Sequence, residues 1–225
     1  MNDIEDLKKA AWEPVGYETA DQIFLRPLSI RITNLLLYRS IRPTHITLLS
    51  FAVLVVGASL FLYGEYLSTL VAAIAVLVSD VLDCTDGELA RAKKQETETG
   101  ALIDYFVDRV GDMVVYSCIT YVLFTRSSDE RVLMLGIFVI VSNSFMTDIG
   151  QKVNSLKEQA RIRQRSHGVR SYLNYGGSAN TLILLAASAF NMLFEGMILI
   201  GILCFSYAIA RFIEGHQILG KEARK

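Results

Sequence analysis

The chain has few cysteines, almost no net charge and no internal repeat. Its three cysteines are dispersed through hydrophobic segments, which argues against both a disulfide framework and a zinc site. The net charge is -1, which argues weakly against binding to nucleic acid. The membrane-embedded arrangement predicted below argues against it more strongly, so we expect no nucleic-acid partner. No fixed-period repeat or low-complexity segment is visible, which excludes solenoids and disordered arrays.

Residues 1–43 also lack the basic start and apolar core of a signal peptide, so we expect this segment to be retained on the cytoplasmic side. From Pro27 onward, apolar residues recur at helical spacing: Leu28, Ile32, Leu35 and Leu36. This pattern predicts an amphipathic helix on the inner membrane surface. It should end before Pro43, with Thr44 capping the next helix.

Hydrophobic residues are abundant, at 52% of the chain, and they are concentrated in long blocks. Six blocks approach the roughly 20 residues that a helix needs to cross a bilayer. They are Thr44–Tyr63, Leu67–Arg91, Gly100–Thr125, Arg131–Lys152, Asn180–Phe194 and Met197–Leu219. We therefore predict an all-α integral membrane protein, with a lead over residues 1–43 and a six-helix bundle over residues 44–225.

The basic residues are distributed unevenly between the connections of these blocks. Most of the 22 Lys and Arg residues precede the first block, follow the sixth, or lie between the second and third or the fourth and fifth. Because Lys and Arg accumulate on the cytoplasmic side, we expect both termini to be cytoplasmic in a protein of the cell membrane. The external connections are too short for a domain, so function should lie in the bundle or on its inner face.

Two acidic stripes occur near the cytoplasmic ends of the second and third blocks. On the second block, Asp83, Asp86, Gly87 and Ala90 fall within about 100° of helical arc. The third block places Gly100, Asp104 and Asp108 on a single stripe, since they are spaced by four residues. The two helices are antiparallel neighbours, so the stripes should face one another.

Buried carboxylates need compensation, because a charged residue costs about 3 kcal/mol at a bilayer centre. Oxygen ligands without His or Cys select hard cations, such as Mg²⁺ or Mn²⁺. Two such ions could bridge a diphosphate. The small residues Gly87, Ala90 and Gly100 would let a nucleotide approach the backbone, and Arg91 offers charge-assisted bonds to phosphate. These features predict metal-dependent phosphoryl transfer at the inner membrane face.

A cation transporter or channel is the alternative interpretation, because acidic stripes on two helices would also form a cation path. This alternative explains the buried aspartates. It does not explain the glycine, alanine and arginine at Gly87, Ala90, Arg91 and Gly100.

The complete pattern is Asp83-x2-Asp86-Gly87-x2-Ala90-Arg91-x8-Gly100-x3-Asp104-x3-Asp108. It resembles, at every fixed position, the signature of the CDP-alcohol phosphotransferase family. A weaker match, Asp21-x-Ile-Phe-x-Arg-Pro-x-Ser-x-Arg31, is similar to the entry segment of the di-inositol-phosphate synthase branch.

The resemblance implies transfer of a substituted phosphate from a CDP-linked alcohol to an acceptor hydroxyl, with release of CMP and with Mg²⁺ or Mn²⁺ as cofactor. The donor would be of the CDP-diacylglycerol type or a CDP-polyol, and the protein would be a homodimer. Asp83, Asp86, Asp104 and Asp108 would ligate two metal ions, and Asp108 would also take the acceptor's proton. The CDP moiety would be bound by Asp83, Gly87, Ala90, Arg91 and Gly100.

Several polar residues outside the signature have open roles. Asp80, Asp112 and Asp148 could be outer partners of the site or face a wet cavity, and Arg109 could pair with a neighbouring carboxylate. Arg211 is a candidate for binding an acceptor phosphate, as are Lys152 and Arg161 in the basic segment 152–170. That segment could instead contact lipid headgroups or simply anchor the topology.

Overall fold

The computed structural model describes residues 20–164 and 175–222, with the side chains of 158–164 and 221–222 left out. All regular structure in these two ranges is helical. The α-helices, in chain order, are α1 (Arg26–Leu37), α2 (Pro43–Leu60), α3 (Tyr66–Lys93), α4 (Glu98–Ser127), α5 (Arg131–Gln164), α6 (Gly177–Ala189) and α7 (Leu193–Glu222). A π-helical turn, Asp21–Leu25, precedes α1, and a 3-10 turn, Phe61–Tyr63, follows α2.

Four helical segments in the described residues are long and apolar enough to cross a membrane: Pro43–Tyr63, Tyr66–Lys93, Arg131–Lys157 and Leu193–Gly220. The helix α4 has the length but also carries the acidic stripe, and α6 is a shorter apolar helix. The prediction of an all-helical protein is thus confirmed for the described residues. The count of six membrane spans stays a prediction.

Two predicted helix boundaries were wrong. The connection expected at Glu195 and Gly196 lies inside α7, and the chain turns four residues before Glu195, where Asn191 adopts a positive φ of 55°. Gly196 instead lets two helices approach, since a Cβ there would lie 2.5 Å from the Cβ of Ala187. Thr44 is not the cap of α2 either. That position belongs to Arg42, and Pro43 begins the helix.

Small residues allow the helices to pack closely. The most extensive contacts join α2 to α3 and α5 to α7, while α4 packs against α2 and α5. At the first interface, a Cβ on Gly57 would lie 2.5 Å from the Cβ of Ala75. Many large apolar side chains point outward, among them Ile137 and Ile202. Such a distribution is typical of helices that pack through small residues and face lipid with large ones.

The helix α1 is attached to the bundle through its polar side. Ser29 and Thr33 are buried, and each donates a 2.8 Å hydrogen bond to the carboxylate of Glu88 on α3. On the other side of the helix, Leu28 and Leu35 are exposed. Ser29, the serine of the weaker sequence match between Asp21 and Arg31, therefore contacts α3. Whether α1 lies on a membrane surface stays a prediction.

The turn before α1 also makes a hydrogen bond to the bundle. Asp21 accepts a hydrogen bond from Ser178 at the start of α6. Burial raises the pKa of the Asp21 carboxyl group, and this effect outweighs the Ser178 hydrogen bond and the charge of Arg26, which lower it. The segment before α2 therefore contacts both α3 and α6.

Candidate active site

Three carboxylates meet where α3 and α4 face each other. One carboxylate oxygen from each of Asp83, Asp104 and Asp108 lies within 4.8 Å of the other two. The short connection between the helices makes this possible, since Lys94 ends α3 in a left-handed conformation and Thr97 caps α4 by accepting a hydrogen bond from the Gly100 N–H. The expected face-to-face arrangement of the acidic stripes is therefore present.

Asp86 lies about one turn further along α3 and is buried. Its Oδ2 atom is fully buried without a hydrogen-bond partner among the described residues, and so is Oδ1 of Asp104. Orphaned carboxylate oxygens beside two further carboxyl groups, those of Asp83 and Asp108, fit a divalent cation, because hard cations bind carboxylate oxygen and compensate its charge. The residues thus suit the metal that the sequence predicts.

A cavity of about 360 Å³ adjoins these carboxylates. It is lined by four of the residues expected to bind the CDP moiety: Gly87, Ala90, Arg91 and Gly100. Asp86 and Asp104 also line it, whereas Asp83 does not. A Cβ on Gly87 would lie 3.5 Å from a guanidinium nitrogen of Arg91, so the space over this glycine adjoins the arginine side chain. The cavity can accommodate a polar ligand next to the carboxylates.

Sequence reasoning missed the contribution of α2 to this cavity. Arg42, Thr44 and Thr47 line it from the start of that helix, and the connection residues Glu96 and Thr97 line it from another side. The available signal was Pro43, which marks a helix start at the N-terminal end of the first hydrophobic block.

The buried polar residues outside the signature form a separate network. Arg109 lies 3.5 Å from Asp112, which accepts a 2.7 Å hydrogen bond from Asn143 on α5. Asn143 in turn accepts a 2.9 Å bond from Asn180 on α6. The pairing of Arg109 with a nearby carboxylate was expected, and Asn143 bonds across helices. This network connects α4, α5 and α6.

Asp80 and Asp148 occupy different surroundings. Asp80 lines a cavity of about 30 Å³ together with Asp112 and Asn180, and a polar cavity of this size is large enough to hold water. Asp148 is exposed and accepts a 3.1 Å hydrogen bond from the hydroxyl group of Tyr105.

The candidate acceptor residues are not brought together with the carboxylate cluster by any described contact. Arg211 is buried on α7, where it donates to Asn154, to the carbonyl of Gly150 and, at 2.5 Å, to Glu214. Glu214 also pairs with Lys157 at 2.6 Å. Lys152 is exposed, and the side chain of Arg161 lies outside the described residues.

Comparison with known proteins identifies the family. Residues 40–210 match the family model described as CDP-alcohol phosphatidyltransferase. The chain belongs to this family. It is consequently a membrane protein, in agreement with its long apolar helices.

Two curated relatives of this chain are similar over part of their length. Inner membrane protein YnbA of Escherichia coli (strain K12) is 28% identical over 133 residues, which cover 58% of this chain and 65% of that protein. The bifunctional IPC transferase and DIPP synthase of Rubrobacter xylanophilus is 38% identical over 82 residues, 36% of this chain and 18% of that protein. The chain thus spans less than two thirds of the length of these relatives.

Solved structures share the fold of this family member. The phosphatidylinositol phosphate synthase of Mycobacterium tuberculosis with CDP-DAG bound has a TM-score of 0.62 at 20% identity, covering 84% of this chain and 94% of that one. The same synthase in complex with manganese and citrate has a TM-score of 0.61 at 20% identity, covering 83% and 88%.

Proposed function

We propose that this protein transfers a substituted phosphate group from a CDP-linked alcohol to an acceptor hydroxyl and releases CMP. The observation that supports this proposal most directly is the cavity lined by Gly87, Ala90, Arg91 and Gly100, which adjoins the carboxylates of Asp86 and Asp104. A nucleotide diphosphate needs small residues where it approaches the protein backbone and a positively charged group beside its phosphates. Among the lining residues, the two glycines and Ala90 meet the first need and the guanidinium group of Arg91 meets the second.

The acceptor oxygen would attack the phosphorus atom that carries the donor alcohol. A new P–O bond forms, the P–O bond to CMP breaks, and CMP leaves with that electron pair. Asp108 is the proposed base that takes the acceptor's proton, since its carboxylate belongs to the cluster with Asp83 and Asp104. Arg91 would bind the donor phosphates, with Gly87, Ala90 and Gly100 around the nucleotide.

Divalent ions fit this scheme. We propose that Asp83, Asp86, Asp104 and Asp108 hold two ions of Mg²⁺ or Mn²⁺. When bound, the ions would neutralise the diphosphate and stabilise the charge on the leaving oxygen. A solved structure of a fold relative is described as a complex with manganese, which supports a divalent cofactor here.

The relatives suggest two classes of donor. One fold neighbour is described with CDP-DAG bound, and one curated relative as an IPC transferase and DIPP synthase. We therefore propose a donor of the CDP-diacylglycerol type or a CDP-polyol. For an acceptor that carries a phosphate, Arg211 is the candidate ligand together with Lys152 and Arg161. Arg211 would have to exchange its Glu214 partner for the acceptor.

We also propose the membrane arrangement that the sequence predicts. The four long apolar helices, together with α4 and α6, would form six spans, with α1 on the inner surface. Both termini and the cavity would then face the cytoplasm, and the protein would act as a homodimer.

The test is CMP release by the purified protein with Mg²⁺ or Mn²⁺. CDP-diacylglycerol and CDP-inositol would serve as alternative donors, and inositol phosphate, glycerol phosphate and serine as acceptors. We expect release that depends on one donor, one acceptor and the metal, and that stops with EDTA. If the protein binds no CDP and instead carries divalent metal across vesicle membranes, the transferase proposal is wrong and the transporter is favoured.

A further inference from the structure

Arg42 brings a second guanidinium group to the cavity, from a helix that contributes nothing to the signature. It lines the cavity together with Asp86, Gly87 and Arg91, although it lies far from them in sequence. Its side chain is exposed, and no residue in ranges 20–164 and 175–222 makes a described hydrogen bond or ion pair with its guanidinium group. All donors of this side chain are therefore available to a ligand.

The backbone on both sides of Arg42 is constrained by hydrogen bonds and by a proline. The Nζ atom of Lys93 donates to the carbonyl of Ile41 at 2.8 Å and to that of Arg39 at 2.7 Å. On the other side, Pro43 restricts the backbone at the first turn of α2, and the carbonyl of Arg42 accepts a 3.0 Å bond from the His45 N–H. The backbone that carries the guanidinium group is thus held by contacts on both sides.

Lys93 lies in the last turn of α3, two residues after Arg91. A lysine at that position commonly stabilises the C-terminal end of its own helix. Here its hydrogen bonds instead go to the segment that precedes Arg42. The same helix end therefore presents Arg91 to the cavity and fixes the backbone that presents Arg42.

The charge of the cavity makes a second guanidinium group important. Its lining includes the carboxylates of Asp86, Glu96 and Asp104. A diphosphate would add further negative charge in the same space. An arginine can bind phosphate through two parallel N–H bonds, whereas a lysine acts only as a point charge.

We propose that Arg42 binds the diphosphate of the donor nucleotide from α2, while Arg91 binds it from α3, and that Lys93 is the positioning residue for Arg42. This inference rests on the proposed function, because it assigns a further residue to the donor site. It predicts that changes at either residue affect the donor and leave the acceptor unaffected.

The first experiment measures binding of CDP, with Mg²⁺, to the full-length protein in detergent by calorimetry. Arg42→Gln should weaken binding by about tenfold to a hundredfold, the usual effect of losing a charge-assisted hydrogen bond. Arg42→Lys should retain part of the affinity, and the matched control Arg31→Gln, an exposed arginine on α1 outside the cavity, should match the wild type. Thermal unfolding would confirm that each variant is folded.

The second experiment is a double-mutant cycle with Lys93. Lys93→Met should weaken CDP binding, Lys93→Arg should restore most of it, and Lys93→Met should cause little further loss in the Arg42→Gln protein, because coupled residues are not additive. Independent, additive losses would overturn the positioning role. In turnover, the donor KM should rise while the acceptor KM stays constant.

Two negative results separate this inference from the proposed function. If the wild-type protein binds CDP and releases CMP but Arg42→Gln and Arg42→Lys bind CDP as the wild type does, the role of Arg42 is wrong and the transferase function stands. If the wild-type protein binds no CDP at all, both proposals are overturned.

Discussion

Buried polar side chains of the bundle differ in how many hydrogen-bond partners the protein supplies. Asp86 and Asp104 each keep one buried oxygen atom without a partner in the described structure. Arg211 differs from them, because Glu214, Asn154 and the carbonyl of Gly150 accept hydrogen bonds from its two terminal nitrogens, and only its Nε has no partner in the described structure. Buried polar atoms are rarely left unpaired, so the unpaired oxygens of Asp86 and Asp104, two residues that line the cavity, indicate a ligand site. The partners of Arg211 indicate a structural connection between α5 and α7.

Asp108→Asn should abolish or nearly abolish turnover. An amide cannot take the acceptor's proton and is a weaker metal ligand, and loss of a general base typically lowers the rate by about 10² to 10⁴. CMP release under saturating substrates checks this. The matched control is Asp148→Asn, which changes an exposed carboxylate bonded to Tyr105 and should retain most of the activity. Nearly normal activity in Asp108→Asn would show that the assigned role is wrong.

Glu214→Gln tests whether Arg211 binds an anionic acceptor. The change removes the carboxylate that pairs with both Arg211 and Lys157, so a phosphorylated acceptor would no longer compete with it. We expect a lower KM for inositol phosphate or glycerol phosphate and an unchanged KM for the donor. An unchanged acceptor KM in Glu214→Gln, together with an unchanged value in Arg211→Lys, would exclude Arg211 from acceptor binding.

At the scale of the elements, the contact between α1 and α3 depends on one buried carboxylate. Glu88 is fully buried and accepts hydrogen bonds from Ser29 and Thr33. It lies inside the signature, between Gly87 and Ala90, so its neighbours line the cavity while it holds α1. The same turn of α3 therefore contributes residues to the cavity and binds α1 through hydrogen bonds.

Ser29→Ala should loosen α1. The buried carboxylate of Glu88 would lose one of its two donors, which costs about 1–3 kcal/mol. Limited proteolysis should then cleave the segment before α2 faster, and the unfolding temperature in detergent should fall. The control is Ser59→Ala, an exposed serine bonded only within its own helix, which should change neither readout. Equal behaviour of the two variants would contradict the importance of the Glu88 contact.

At the scale of the whole molecule, the residues of the proposed site lie at one end of the bundle. The carboxylate cluster and the cavity lie at the end where α3 meets α4, and the connection between α2 and α3 lies at the opposite ends of those helices. Because Lys and Arg favour the cytoplasmic side, the first end should face the cytoplasm.

Cysteine labelling checks this orientation with a matched pair. Glu65 precedes α3 and Glu96 precedes α4, and both are exposed glutamates in short connections. A membrane-impermeant thiol reagent applied to intact cells should label Glu65→Cys and not Glu96→Cys, and both should be labelled after permeabilisation. The wild-type protein, with Cys204 buried and Cys84 and Cys118 partly buried, gives the background. The reverse pattern would overturn the proposed topology.

Much of the site could be predicted from the sequence because its residues are close together along the chain. Spacing on a helix determines which side chains share a face, so the stripes of Asp83 and Asp86 and of Asp104 and Asp108 followed directly from the sequence. The boundary between α6 and α7 was predicted less well. There, Glu195 and Gly196 suggested a turn, but packing of Gly196 against Ala187 placed them inside α7.

The sequence by itself determined the helical fold class, the family and the pairing of two acidic stripes across one short connection, because all of these depend on local spacing and hydrophobicity. Only the tertiary structure decided that Arg42 lines the cavity, that Lys93 holds its backbone and that Glu88 fastens α1. These contacts join residues that are distant in the chain. Their formation depends on how the helices pack, and no local pattern encodes that packing.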